Sequence, residues 1–291
     1  MTRRVVVVGD VMLDVVVRRL APIAPTSDTP SSIRVARGGS GASLALAVAT
    51  GGHEVIYIGA AGPDAAATIV REALRSANVT AQLEVVDAPT GTVVALVGDE
   101  GQRAMLTDRG ANSRLSEAFV RGRLAVPFDH LHVSGYTLLD PATRALGVAA
   151  LALARVGRRS ASVDVCSVSP LRQMTPEVFL EAASGASHLF ANEEEALALT
   201  GASDANDALE FLAARFHEVV ITRGALGAIA AVGETRTRVS AHDVAVLDTT
   251  GAGDAANGTY LGARLREESP ERALEEAMNA SAYVVGGLGA D

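Results

Sequence analysis

The feature that most constrains this chain is a repeated alternation of short β-branched or apolar runs with longer stretches of helix-forming residues. An unbroken valine run at 5–8, closed by Gly9 and Asp10, reads as a strand buried on both faces, because a half-exposed strand would alternate with polar residues. A helix over about 42–50 ends at Gly51-Gly52, a strand over 55–58 follows, and a helix over about 65–77 comes next. The alternation resumes with a strand at 130–133, a helix at 143–154, a strand at 162–165, a helix at 176–184, a strand at 189–191 and a helix beginning near Glu193. A strand at 218–222, a hairpin over 228–237, and helices at 252–266 and 272–285 complete it. Such a sequence predicts an α/β fold with a mostly parallel central sheet covered by helices on both faces, in three α/β/α layers.

Two segments interrupt the alternation. Residues 11–37 hold extended pieces around 13–20 and 33–36, separated by the proline-rich stretch APIAPTSDTPSS. Residues 85–107 hold two short extended runs joined at 98–101, a hairpin signal. Together they supply four short strands outside the alternation, enough for a small second sheet. The expectation is a main catalytic domain of residues 1–10, 38–84 and 108–291, with 11–37 and 85–107 forming a small β lid over a substrate site.

Composition narrows the chemistry. Apolar residues make up 48% and charged residues 20%, which excludes disorder over the whole length. All 25 cationic side chains are arginine, so a Schiff base and the lysine of a Walker A loop are both excluded. The formal charge of -9 argues against nucleic acid as partner, since phosphate neutralisation needs a basic footprint. The single cysteine, Cys166, cannot form an internal disulfide, and no apolar run has the length of a signal peptide or membrane span. A cytoplasmic protein without a membrane partner is expected. The histidines at 53, 130, 132, 188, 217 and 242 show no ligand spacing; capping or surface placement accounts for them, and no zinc site is assigned.

The segment Asp248-Thr249-Thr250-Gly251-Ala252-Gly253-Asp254 is the most informative. Glycines immediately before a helix let the backbone turn tightly and leave amide N–H groups directed outward, a site for phosphate oxygens made without lysine. Asp254 then falls in the first helical turn. A carboxylate there repels a phosphate, so it fits a base that orients and deprotonates an attacking hydroxyl. It equally fits a helix N-terminal acid, and glycine spacing alone leaves both open.

This DTTGAGD stretch resembles the signature of the PfkB family of carbohydrate kinases, also called the ribokinase family. Further matches follow in the family's order: Gly9, Asp10 and Asp14; Gly38-Gly39; Asn192-x-x-Glu195; and Thr222-x-Gly224-x-x-Gly227. The resemblance implies a ribokinase-like fold and ATP-dependent phosphorylation of a sugar hydroxyl. It implies Asp254 as catalytic base and the amides of Gly251, Ala252 and Gly253 as an anion hole. It places Asn192 and Glu195 around Mg²⁺, with Glu195 acting through water, and Thr222, Gly224, Gly227 and Asn279 on the nucleotide side. Asp14, Gly38, Gly39 and Ser43 would meet the acceptor, with Arg109 in reach of the same cleft. Asp248 would help bind a monovalent cation such as K⁺.

The sequence also departs from the family pattern. Ser43 stands where an asparagine is common and Ser40 where ribokinase-like members carry lysine, so a strict ribokinase reading is weakened. The stretch Asp164-Val165-Cys166-Ser167 lacks the family's asparagine and arginine. Cys166 is expected to pack as a small apolar residue rather than act as a nucleophile. A pentose or hexose is the expected acceptor, since the lid stretches contain no aromatic residue to cover a base. The alternatives are an adenosine-like nucleoside or a nonenzymatic sugar- or nucleotide-binding protein. Exposed lid strands could pair between chains as a homodimer.

Overall fold

A computed structural model describes residues 1–98, 103–246 and 249–286. Its strands in chain order are β1 (Arg4–Val8), β2 (Met12–Arg19), β3 (Ser31–Gly38), β4 (Glu54–Ala61), β5 (Val79–Val85), β6 (Gly91–Val97) and β7 (Arg103–Asp108). Then follow β8 (His130–Ser134), β9 (Ser160–Asp164), β10 (His188–Asn192), β11 (Glu218–Thr222), β12 (Ala228–Val232) and β13 (Thr235–Val239). Nine of them form one sheet in the order β13-β12-β11-β10-β9-β8-β1-β4-β5. Its neighbours are parallel except at the edge formed by β11, β12 and β13, where the expected hairpin folds back antiparallel.

The valine run behaves as its composition dictates. Val5 and Val7 enter one apolar core, and Val6 and Val8 enter another on the opposite face, all fully buried. The first core is closed by helices including Ser40–Thr50, Ala252–Leu265 and Pro270–Val285. The second is closed by helices including Arg144–Val156, Pro176–Ala182 and Ala205–Ala213. These are the three layers of the α/β/α fold.

From β1 the main sheet grows outward through β4 and β5, and the chain then returns to add β8 on the other side of β1. The β1/β8 boundary is therefore a topological switch point, where strand carboxyl ends diverge into a crevice. Strand β5 was not expected from the sequence. Only Val79 and Leu83 in it are buried, with Thr80, Gln82 and Glu84 interspersed, so this edge strand carries a weak apolar signal.

The two interruptions build the second sheet, of four strands in the order β3-β2-β6-β7. Strands β2 and β6 run parallel, flanked by antiparallel β3 and β7. Residues 99–102 of the expected hairpin turn lie outside the described residues.

The histidine expectation is corrected. His130 and His132 are fully buried on one face of β8, beside Ser160 and Ser162 of β9. Both rings hydrogen-bond serine hydroxyls, with distances of 2.7 to 2.9 Å, and burial pushes His132 down to about 3. The row continues through His188 to Glu218, whose carboxylate meets Arg264 at 2.8 Å. Strand patterning alone does not show that a neighbouring strand supplies hydroxyl partners. No described helix is long and apolar enough to cross a membrane.

Candidate active site

Parallel strands bring their carboxyl ends to one edge of the sheet, and the chain places polar residues at five of them. Asp10 follows β1, while Ser134, Asp164, Asn192 and Thr222 end β8, β9, β10 and β11. The Ser134 hydroxyl donates to Asp10 Oδ1 at 3.2 Å, spanning the switch point. The Tyr57 hydroxyl donates to the Asp10 carbonyl at 2.5 Å, fixing the turn after β1.

Two glycines are required where β3 passes into the helix Ser40–Thr50. Gly39 has φ 97, and a Cβ there would come within 2.4 Å of the Asp10 carbonyl oxygen. At Gly38 a Cβ would overlap the Asp14 carboxylate, 1.9 Å from Oδ1, so that carboxylate occupies the space a side chain would fill. Asp14, Gly38 and Gly39, predicted separately, thus come together beside Asp10.

The helix Ala252–Leu265 points its N-terminus at the same place. Gly251 is left-handed with φ 76, and no side-chain cap hydrogen bond is seen for the helix among the described residues. The Ala252 amide donates to the Thr249 carbonyl at 3.3 Å. Gly253 is exposed, and a Cβ built on it would meet nothing within 4 Å. Among the described residues, the only contact for a Cβ on Gly251 would be Ser43 Oγ at 4.0 Å. Among the described residues, nothing therefore fills the space in front of the glycine turn. Asp248 lies outside the described residues.

Asp254 accepts a hydrogen bond from the Ser40 hydroxyl at 2.7 Å. The two come together because their helices cross closely: a Cβ on Gly258 would lie 2.6 Å from both Ala47 Cβ and the Leu44 carbonyl. Burial, reinforced by the charge of Asp164, pushes Asp254 up to about 8. Asp164 is buried and bonded by the Asn257 side chain at 3.3 Å, and burial with Glu195 nearby also raises it to about 8. Glu195 is raised to about 7 by burial, with the Asp254 charge adding to it. Three carboxylates thus disfavour one another's ionised forms, an arrangement that a cation relieves.

Asn192 and Glu195 form a reciprocal capping box at the start of Glu193–Thr200, with bonds of 2.8 and 2.9 Å. The capping fixes the Glu195 carboxylate within the acidic group, so the helix-start interpretation and a role near the metal are compatible. The donor set is all oxygen, as Mg²⁺ requires. Among the described residues no group of three or more His, Cys, Asp or Glu side chains is placed to hold a metal ion. Thr222 leads into a turn in which the Arg223 amide donates to the Gly227 carbonyl at 2.7 Å. Gly227, φ 87, leaves no room for a Cβ against the Val239 carbonyl, whereas Gly224, φ 55, faces open space. Asn279 is exposed on Pro270–Val285.

On the other side, Arg109 lies 3.7 Å from Asp10 and 3.9 Å from Asp140, over the Tyr136 ring at 5.0 Å. Sequence reasoning did not assign Arg37, Ser40 or Asp164 a place in the site, although Ser40 and Asp164 stood in segments noted as departures. Cys166 lies there too, its sulfur 3.5 Å from the hydroxyls of both Ser40 and Ser134. Burial, with Asp164 adding to it, holds that thiol protonated, in keeping with a packing role.

The profile of the pfkB family of carbohydrate kinases matches residues 2–291. The chain belongs to this family. It is a kinase, and membership implies ATP and Mg²⁺ as donor and metal. Over 299 aligned positions this pfkB kinase is 32% identical to an ATP-dependent ribose-1-phosphate kinase of Halopiger xanaduensis, covering 99% of this chain and 93% of that one. It is 29% identical to a ribokinase of Haemophilus influenzae, covering 90% and 85%. The fold matches an adenosine kinase from Sinorhizobium meliloti with a TM-score of 0.88 at 25% identity, covering 98% and 94%.

Proposed function

We propose that this pfkB kinase transfers the terminal phosphoryl group of ATP to a hydroxyl of a ribose-type pentose, with Asp254 as general base. One observation carries this reading: a partly accessible carboxylate sits in the first turn of a helix whose glycine N-terminus faces open space among the described residues. The raised pKa of Asp254 suits a group that must take a proton near neutral pH. The pentose is the unit common to the acceptors in the names of the ribose-1-phosphate kinase, ribokinase and adenosine kinase relatives.

The residues divide the work as follows. Asp14 accepts hydrogen bonds from acceptor hydroxyls, and the glycine pair lets the sugar approach the backbone. Ser40 holds the Asp254 carboxylate so that it faces the attacking hydroxyl and takes its proton. Amides of Gly251, Ala252 and Gly253 receive the charge on the transferring phosphoryl group, Ala252 by exchanging its long bond to Thr249. Asn192 and Glu195 hold Mg²⁺ through water, and Thr222, Gly224, Gly227 and Asn279 form the nucleotide side. Bound Mg²⁺ neutralises phosphate charge, and it lets Asp164, Glu195 and Asp254 ionise together.

Asp248 with a monovalent cation such as K⁺ orders the glycine turn. The small sheet closes over the acceptor to exclude water, and its exposed Ile33, Val35 and Leu106, which the strand register places on one face, give it an apolar surface on which two copies dimerise. The protein works in the cytoplasm, where ATP is supplied. Nucleotide consumption measured with ribose, ribose 1-phosphate, fructose and adenosine tests the reading: turnover with a ribose-containing acceptor is expected, and turnover confined to fructose would overturn it.

A further inference from the structure

The chain passes between its two sheets after β1, after β3, after β5 and after β7, and one side chain ties three of these crossings together. Asn112 stands in the 3-10 turn Gly110–Arg114 that follows β7, and it is 4% exposed. Its amide oxygen accepts from the Val11 amide at 2.7 Å, and its nitrogen donates to the carbonyls of Val11 at 2.8 Å and Arg109 at 2.9 Å. A primary amide has two N–H donors and one carbonyl oxygen, so a single side chain holds the peptide groups on both sides of Val11 and the exit of β7. The Asn112 backbone amide donates to the same Arg109 carbonyl at 3.1 Å, and the Ala111 amide donates to the Pro89 carbonyl, before β6, at 2.7 Å. The packing leaves no slack. A Cβ on Gly91, the first residue of β6, would lie 2.4 Å from the Asn112 side-chain nitrogen and 2.9 Å from the Val11 carbonyl oxygen.

Resting on the reading of Asp14 as an acceptor ligand beneath the small sheet, we infer that Asn112 is a positioning residue for acceptor binding. Val11 lies between Asp10, which follows the main-sheet strand β1, and Met12, where β2 begins and leads to Asp14. With both Val11 peptide groups fixed, the height and rotation of β2 over the main sheet are set, and with them the place of the Asp14 carboxylate beside Gly38. Arg109 leaves β7 with its carbonyl held by the same amide, and its guanidinium lies 3.7 Å from Asp10 and over the Tyr136 ring. Val11 is fully buried, so without Asn112 no water reaches its peptide groups to replace the lost bonds. The chain must then shift to pair them, and Asp14 and Arg109 move with it. The nucleotide side stands apart: among the described residues Asn112 makes no bond to Thr222, Gly224, Gly227 or the glycine turn before Ala252–Leu265.

Steady-state kinetics and calorimetry on the full-length variants Asn112→Asp and Gly91→Ala test the inference. Asn112→Asp keeps the shape and the oxygen that accepts from Val11, but it sets a second oxygen against the Val11 and Arg109 carbonyls in place of the N–H donors. Gly91→Ala keeps every polar group and pushes the Asn112 amide from the opposite side, so it decides the question if the first variant fails to fold. The acceptor is whichever of ribose, ribose 1-phosphate, fructose and adenosine the wild type turns over fastest, so a wrong pentose assignment leaves the test intact. Each folded variant is expected to raise the KM for acceptor about 10- to 100-fold, with a matching loss of calorimetric acceptor affinity, while the KM for ATP stays within a few-fold. A smaller kcat with both KM values unchanged would overturn the inference, because a merely less stable fold loses active molecules and not affinity. Parallel rises in both KM values, or a wild-type acceptor KM, would overturn it as well. Phosphoryl transfer by the wild type to none of the four acceptors would instead refute the kinase reading, and calorimetric binding of ribose to the variants would then decide the role of Asn112.

Discussion

Replacing Asp164 by asparagine should flatten the pH dependence of stability above neutrality. In the native fold Asp254 and Asp164 are pushed up to about 8, and Glu195 to about 7, from ordinary values of 3.8 and 4.5. A carboxyl with a raised native pKa binds more protons folded than unfolded across the interval between its two values. Its contribution to stability is therefore fully present below the unfolded pKa and is lost as pH rises toward the native one. Buried His130 and His132 act in the opposite sense, because their lowered pKa values make stability rise with pH, but that rise is complete by about pH 7. The carboxylate group thus dominates between about pH 7 and 8. One such group loses about 1.4 kcal/mol per pH unit, so a coupled set is worth about 1–3 kcal/mol over that step. For a chain of this size that lowers Tm by roughly 2–10 °C. Thermal denaturation at pH 7 and 8 without metal should show this drop in the wild type, a smaller one in Asp164→Asn, and recovery on adding Mg²⁺. Equal slopes for the two proteins would refute the argument that these carboxylates share one field.

Three further outcomes follow from the same geometry. Ser40→Ala removes the bond that orients Asp254, and steady-state assays should show kcat reduced by about 10- to 100-fold with ATP affinity retained. Gly258→Ala forces a methyl against Ala47 and the Leu44 carbonyl, and urea unfolding should show a loss of about 1–3 kcal/mol. Activity in K⁺ should exceed that in Na⁺ at equal ionic strength if Asp248 binds a cation, and equal rates would remove that ion from the account.

The parallel sheet was legible because its central strands are continuous apolar runs, of which Val5–Val8 is the clearest, and because glycines mark the ends of its helices. Strand β5 was not legible, since an edge strand with Thr80, Gln82 and Glu84 lacks the run that marks its neighbours. In the site, the glycine turn and Asp254 were readable from local spacing. Arg37, Ser40 and Asp164 were not, because each gains its meaning from a partner on another element: Ser43 for Arg37, Asp254 for Ser40 and Asn257 for Asp164. Ser40 and Asp254 are 214 positions apart and meet only because Gly258 lets two helices cross closely. The row of buried His130 and His132 and half-buried His188 escaped notice for a similar reason: its partners lie on neighbouring strands.

The central claim is that one carboxylate beside an open glycine turn accepts a proton from the incoming alcohol. Single-turnover phosphorylation of the preferred acceptor by Asp254→Asn, with ATP binding measured in parallel, tests it most directly. The account predicts a rate lowered by about 10²–10⁴ with nucleotide affinity within a few-fold of wild type. A variant that transfers phosphate at close to the normal rate would contradict it.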